Sequence, residues 1–367
     1  MFKSSFYKNL IDSSLNKKTF SMETCKDILV SEEAELLDLI NAAYTVRKKF
    51  WKKDVNIHVI NNVQNGYCAE DCKYCAQSKS ASAKIVTYPM KSIDEIMHEA
   101  KEAYESGAYR YCLVFAGTGP SESRVKKLET IIKTIKEKYH LEVCVSPGIM
   151  SKTDLKKLKE AGLDRLNHNL NTAEKYYKNI CSTHTYKDRI NTLNSASEIG
   201  LDVCSGVIIG MGESVTDVIN MAMKFNELKN VKSIPVNFFM PVNKNVFKPA
   251  VDLTPEYCLR VLCLFRLLNP AAEIRAAAGR ELYLKSMQVM CLYIVNSIFM
   301  NGYLNVTGSG ILKDLQMIRD AGFNIKSDFK IKELIEKYFK SEKTDEIDSN
   351  IRIKKKSDLR RVSHKLI

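Results

Sequence analysis

From residue 56 to residue 321 the chain repeats one unit, a short run rich in Val and Ile followed by a longer segment whose apolar residues recur at helical spacing. Strands are predicted at residues 57–63, 109–116, 141–146, 163–169, 201–209, 233–240, 273–278 and 297–300. Helices are predicted at 92–106, 122–138, 152–161, 186–199, 215–228, 255–268, 281–294 and 312–321. Several of them run into a glycine (Gly107, Gly162, Gly200, Gly322), the residue that most readily ends a helix. Strands joined by helical crossovers form a parallel sheet, and eight such units over about 270 residues match the size of a closed (β/α)8 TIM-type barrel. An open doubly wound sheet is the alternative with the same strand count.

The division that follows is an N-terminal helical extension over residues 1–55, a barrel over 56–325, and an appended helix with a charged, flexible tail over 326–367. With 45% hydrophobic residues the chain can fill a large core. It has no apolar run near the ~20 residues of a membrane span and no signal-peptide pattern, so a cytoplasmic location is expected. Eleven cysteines, an odd number, then read as thiols or metal ligands before disulfides. The formal charge of +13 is sharpest at the C-terminus, where Arg352, Lys354, Lys355, Lys356, Arg360, Arg361 and Lys365 face only Asp358. No aromatic residues interleave with them, so a solvated tail is expected before a nucleic-acid site.

Directly after the first strand comes NGYCAEDCKYCAQS, with Cys68, Cys72 and Cys75 spaced C-x3-C-x2-C. A structural zinc takes four ligands, usually as two C-x2-C pairs, and no second pair exists here. Three thiolates on an iron-sulfur cube would leave one iron open to a substrate. A zinc completed by a distant His or Cys, and chance clustering, are the bland readings.

Inward positions of barrel strands are ordinarily Val, Ile and Leu. Here Arg110 and Cys112 share one face of the second strand, Cys144 lies in the third, and Asn167, Asn169 and Asn171 alternate along the fourth. Cys204 lies in the fifth strand, Asn237 in the sixth and Arg275 in the seventh. A second metal-sulfur centre inside the barrel would account for them together. Cys25, Cys181, Cys258, Cys263 and Cys291 read as small core residues. His168 is expected to point away from the barrel axis, and His184 reads as a loop residue without a partner.

The cysteine spacing, with Tyr74 just before the third cysteine, resembles the signature of the radical S-adenosylmethionine (SAM) superfamily, and CAEDCKYCAQS is similar to its biotin synthase branch. The segments YRYCLVFAGTGPS, EVCVSPGIM, LNHNLNTAE, DVCSGVIIGMGES, IPVNFFMPV, EIRAAAGRE and NSIFMNGYL resemble that family in the same order, over roughly residues 35 to 325. The resemblance implies that Cys68, Cys72 and Cys75 hold a 4Fe-4S cluster whose open iron chelates SAM, and that electron transfer releases a 5'-deoxyadenosyl radical. It implies that Cys112, Cys144, Cys204 and Arg275 hold an auxiliary cluster, usually 2Fe-2S. Gly206, Ile208, Gly210 and Glu213 fit a G-x-I-x-G-x-x-E pattern lying beside the SAM adenine. Asn169 and Asn171 match contacts to the SAM ribose and the substrate's ureido ring, and Asn237 matches another ureido contact.

The implied reaction is sulfur insertion between carbons 6 and 9 of dethiobiotin, in a homodimer reduced by flavodoxin or ferredoxin. Two segments depart from the family: 241–247, where a Gly-Thr-Pro-Leu element is expected, and 305–310, a shortened turn where the substrate carboxylate would lie. The rival they suggest is a sulfur-inserting paralogue such as an archaeal-type lipoyl synthase, acting on the octanoyl-lysine of a carrier protein. A metal- or nucleic-acid-binding protein without catalysis would leave the buried cysteines and Arg275 without a task.

Overall fold

The computed structural model describes residues 2–241, 247–248 and 250–341. The charged tail beyond 341 and most of the 241–247 departure lie outside the described residues.

Three helices, α1 (Ser4–Leu15), α2 (Met22–Val30) and α3 (Leu36–Trp51), precede β1 (Asp54–Gln64). Then follow α4 (Ile93–Glu105), β2 (Arg110–Phe115), α5 (Glu122–Lys138), β3 (Glu142–Ser146), α6 (Lys152–Glu160) and β4 (Arg165–Asn167). A 3-10 turn, Glu174–Asn179, leads to α7 (Tyr186–Glu198), β5 (Asp202–Cys204), β6 (Val207–Ile209), α8 (Val215–Glu227) and β7 (Val231–Phe238). The chain continues through α9 (Pro255–Leu268), β8 (Glu273–Ala276), α10 (Arg280–Leu284), α11 (Gln288–Cys291), β9 (Ser297–Phe299), α12 (Ile311–Asp320), β10 (Asn324–Ile325) and α13 (Ile331–Ser341).

The strands run β1-β2-β3-β4-β5-β7-β8-β9, every neighbouring pair is parallel, and β9 returns to β1. The sheet is therefore a closed TIM-type barrel, and the open sheet is excluded. The helix starts are set locally. Ser92, Ser121, Ser151, Thr185, Ser214 and Thr254 each accept a backbone N–H of the first turn that follows, with full capping boxes at Ser92, Thr185 and Ser214.

Three expectations are corrected. The fifth strand is two, β5 and β6, which pair with β7 on either side of Pro235. Pro235 has no N–H for the ladder, and its carbonyl crowds Gly206 so closely that a Cβ there would sit 2.1 Å from it. The fourth strand stops at Asn167, and Asn171 lies beyond it at φ +69, bridged to Val207. The helix expected over 281–294 is broken into α10 and α11 around the turn Lys285–Met287, with Lys285 at φ +49.

α1, α2 and α3 lie on α9, which is buried on its outer face by them and on its inner face by the barrel, as its run of Leu, Val, Cys and Phe requires. The appended helix is present as α13. It packs on α12 and buries Leu334 and Ile335, while β10 extends the sheet beside the start of β1. Inside the barrel, Cys112, Cys144, Cys204, Ala277 and Phe299 form an apolar cluster separate from the main core. No helix among the described residues is long and apolar enough to cross a membrane.

Candidate functional site

At the C-terminal ends of the barrel strands a cavity of 360 Å³ opens between the loops. Cys68, Cys72 and Cys75 line one wall, and Cys112 and Cys144 line the interior. Asn169, Asn171, Ile208 and Asn237 also face it. Cys204 and Arg275 lie just beyond the lining, in contact with each other through Nη1 and Sγ at 3.8 Å.

The cysteine triplet sits on the irregular segment after β1, which is turned by its own bonds, such as the Cys75 N–H to the Cys72 carbonyl, and is also held by the segment ahead of α7. Asp71 accepts the backbone N–H groups of Ser182 at 2.9 Å and Thr183 at 3.2 Å, and the Lys73 N–H donates to the Ile180 carbonyl at 2.9 Å. Glu70 accepts from the Thr118 and Thr183 hydroxyls and, at 2.5 Å, from His184 Nδ1. Arg189 on α7 donates to His184 Nε2 at 2.8 Å, which leaves Nδ1 to carry the proton toward Glu70. Burial would raise the Asp71 carboxyl, but hydrogen bonds from Ser182, Cys181 and Thr183 hold it well below the usual range. Cys72 also meets a thiol outside the triplet: its sulfur is 3.8 Å from that of Cys181.

The floor is built from cross-strand register. Cys112 on β2 pairs with Cys144 on β3, Cys144 with Arg165 on β4, and Asn167 with Cys204 on β5. The Cys144 thiol donates to Cys112, and together with Arg275 and Arg110 this lowers the Cys112 thiol despite its burial; Cys144 is correspondingly raised. Beneath them Glu273, almost completely buried, accepts from Arg275 Nη2 at 2.6 Å, His58 Nε2 at 2.8 Å and Arg165 Nη1 at 3.3 Å. Burial pushes the His58 imidazole down to about 3, so it is neutral. Three guanidinium groups, Arg110, Arg165 and Arg275, thus share this interior with one fully buried carboxylate, Glu142 reaching Arg110 only from the half-exposed rim. Arg110 Nε and Nη1, Arg165 Nε and Arg275 Nε have no hydrogen-bond partner. A surplus of buried positive charge with unmet donors beside three thiols fits an anionic metal-sulfur group and fits poorly with an ordinary core.

Between these thiol sets lies a rim of amides. Asn169 Oδ1 accepts the Gly206 N–H at 3.0 Å, Asn171 Nδ2 donates to the Tyr74 hydroxyl at 2.7 Å, and Asn237 bridges the Val207 carbonyl and the Ala278 N–H. Each amide keeps hydrogen-bonding capacity for a ligand. Glu213 does not reach the cavity. Its oxygens accept the N–H groups of Gly210 at 2.6 Å and Met211 at 2.9 Å, so it shapes the turn at Gly210, Met211 and Gly212. Gly206 and Gly210 likewise stand behind the wall and act through backbone path: at Gly210, φ is +103 and a Cβ would meet Leu253 at 2.6 Å.

The sequence-derived residues therefore converge, with Gly206, Gly210 and Glu213 supporting the wall from outside. Sequence reasoning missed the clamp on the cysteine loop. His184 has polar partners in Glu70 and Arg189, and Cys181 is more than core filling, since it touches Cys72 from a position 109 residues away. Glu70 and Asp71, inside the cysteine motif, were its one local trace. His168 is buried near Arg189 and His184, with no hydrogen-bond partner for Nε2.

Residues 64–225 match the family model described as the Radical SAM superfamily, and residues 235–324 match the Biotin and Thiamin Synthesis associated domain. The chain is 50% identical over 296 residues to a biotin synthase of Magnetococcus marinus, covering 81% of this chain and 92% of that protein. It is 49% identical to a biotin synthase of Leptospira interrogans (78% and 82% covered) and 46% identical to one of Acaryochloris marina (85% and 90%). Among solved structures, methylornithine synthase (PylB) superposes with a TM-score of 0.74 at 19% identity, covering 88% of this chain and 98% of that one. The hydrogenase maturase HydG from Carboxydothermus hydrogenoformans gives 0.72 at 16% identity, with 89% and 81% covered. At those identities the likeness is one of fold.

Proposed function

The chain belongs to the biotin synthase family of radical SAM enzymes, and from that premise we propose that it inserts sulfur between carbons 6 and 9 of dethiobiotin to form biotin. The bound groups supply hydrogen abstraction by a 5'-deoxyadenosyl radical, generated from SAM at a 4Fe-4S cluster, and sulfur from an auxiliary cluster. Radical chemistry is required because the two C–H bonds are too strong and too weakly acidic for any side-chain base.

The observation that carries this reading is one cavity bounded by two separate thiol sets, Cys68, Cys72 and Cys75 on the loop and Cys112 and Cys144 in the interior, backed by Cys204 and Arg275. In this reading the loop triplet would hold the cube and leave one iron for SAM, with Asn169, Asn171 and the backbone of the Gly206–Glu213 segment on the nucleoside side. Asn169 and Asn237 present amides to the cyclic urea, a match of donors and acceptors. The interior cysteines and Arg275 would hold the sulfur-donating cluster, usually 2Fe-2S in this family. The surrounding barrel fixes the distance between the two centres and keeps water from the radical.

A cytoplasmic homodimer reduced by flavodoxin or ferredoxin completes the proposal, with residues 56–325 as the catalytic unit. The lipoyl synthase alternative is not favoured: the Magnetococcus, Leptospira and Acaryochloris relatives, which span most of this chain, are biotin synthases, and a bare acyl chain gives Asn169 and Asn237 no task. The test is anaerobic reconstitution with iron and sulfide, then incubation with SAM, reductant and either dethiobiotin or an octanoyl-lysine peptide. Biotin detected by mass spectrometry supports the proposal; thioether or dithiol product from the peptide alone overturns it.

A further inference from the structure

Cys181 is the one thiol of the site that neither cluster set uses. Its sulfur lies 3.8 Å from Cys72 Sγ, at van der Waals contact, and the segments that carry the two residues are tied to each other. The Cys72 segment is tied through Asp71 to Ser182 and Thr183, and through Lys73 to Ile180, so Cys181 sits in the middle of the stretch that grips the cysteine loop. Cys72 lines the cavity, whereas Cys181 lies behind it and does not. A small oxidant entering the cavity meets Cys72 first.

We infer that Cys181 is a resolving cysteine for Cys72: when the loop cluster is lost to an oxidant, the pair closes into a disulfide that protects Cys72 for reloading. This rests on Cys72 being a cluster ligand. With hydrogen peroxide as oxidant, the Cys72 thiol becomes a sulfenic acid and one water is released. The Cys181 sulfur then displaces the sulfenic hydroxyl, forming the S–S bond; that hydroxyl leaves with the Cys181 thiol proton as a second water. Two thiols are oxidised by two electrons and the peroxide is reduced. Closing the gap from 3.8 Å to a bond of about 2.05 Å joins two irregular segments, one after β1 and one ahead of α7, that both lie outside the barrel strands. Without a thiol behind it, oxidised Cys72 would proceed to sulfinic acid, which a dithiol reductant does not reverse.

The test uses the full chain, reconstituted anaerobically, then treated with peroxide and a chelator, alkylated and mapped by mass spectrometry. The expected product is a Cys72–Cys181 cross-linked peptide two hydrogens lighter than its parts. Dithiothreitol should return both thiols and allow iron and sulfide to be reloaded. In Cys181→Ser, treated identically, the cross-link is lost, Cys72 accumulates as sulfinic acid, and reloading after dithiothreitol falls several-fold. A cross-link from Cys72 to Cys68 or Cys75, an alkylatable Cys181 beside overoxidised Cys72, or equal recovery in Cys181→Ser would overturn the inference. The wild-type map decides the question alone if the variant fails to fold. It needs neither SAM nor dethiobiotin, so failure of the proposed reaction and failure of the disulfide are separate outcomes.

Discussion

At the scale of single residues, the two thiol sets differ in what surrounds them, and that difference separates their expected losses. Cys68, Cys72 and Cys75 share one loop and, in the proposed reading, one centre, so Cys68→Ala, Cys72→Ala or Cys75→Ala should each abolish 5'-deoxyadenosine formation from SAM, measured by chromatography under reducing, anaerobic conditions. Retained production in any of the three would remove the triplet from the chemistry. Cys144 stands on β3 between Cys112 and Arg165, away from that loop. Cys144→Ala should therefore keep the loop cluster's iron and SAM cleavage, lose the auxiliary cluster's share of iron and sulfide, and form no biotin. Wild-type biotin yield from this variant would return the interior cysteines to ordinary core residues. Arg275→Ala should be milder than Cys144→Ala in the same iron and sulfide assay, because water can replace a nitrogen donor where it cannot replace a thiolate. Glu273 also keeps His58 and Arg165 as partners when Arg275 is gone. The triplet and the interior polar residues were legible in the sequence because each breaks a local rule, close thiol spacing in one case and polarity on an inward strand face in the other. Cys181 and His184 break no local rule, and only the folded loops bring them to Cys72 and Glu70.

At the scale of elements, the alternation of strands and helices predicted nearly every unit, since serine, threonine and glycine punctuation agreed with apolar periodicity. The failures have a common cause in contacts between elements. Residues 201–209 read as one strand because Val, Cys and Ile persist along them, but Pro235 on the neighbouring β7 withholds an N–H at the point where Gly206 must pass. Likewise Asn169 and Asn171 keep a strand-like alternation in sequence, yet Asn171 turns to φ +69 and hydrogen-bonds Gly206 and Ile208 through its backbone. Gly206→Ala tests this crossing. Its Cβ would press on the Pro235 carbonyl, and forcing the two segments apart should cost about 1–3 kcal/mol, read as a lower midpoint in chemical denaturation. The same displacement moves the backbone N–H that Asn169 holds, so SAM affinity should weaken together with stability. Unchanged denaturation would mean that the break between β5 and β6 does not depend on this contact.

At the scale of the whole molecule, the barrel is closed by elements from both ends of the chain. The N-terminal helices cover α9, and Arg47 of α3 donates to the carbonyls of Val295, Lys52 and Asp54, joining the starts of β1 and β9. The C-terminal side closes through β10 on β1 and α13 on α12. A boundary at 325 drawn from family resemblance therefore does not mark where packing stops. Leu334 reaches Gly107 so closely that a Cβ there would lie 2.5 Å from its methyl, and Tyr104 donates to Asp328 at 2.9 Å. Two truncations separate resemblance from packing. A chain ending at Ser341 keeps every described contact and should melt and form biotin as the full chain does. A chain ending at Ile325 loses α13 and with it the burial of Leu334 and Ile335, each worth about 1.5–3 kcal/mol, so the loss is a large part of a typical ~5–15 kcal/mol stability. That shorter chain should show a clearly lower melting temperature and poor cluster retention, even though the matched family segment ends at 324. Equal melting of the two chains would place α13 outside the cooperative unit, and loss of biotin formation at Ser341 would give the charged tail a role that no contact of the described residues requires.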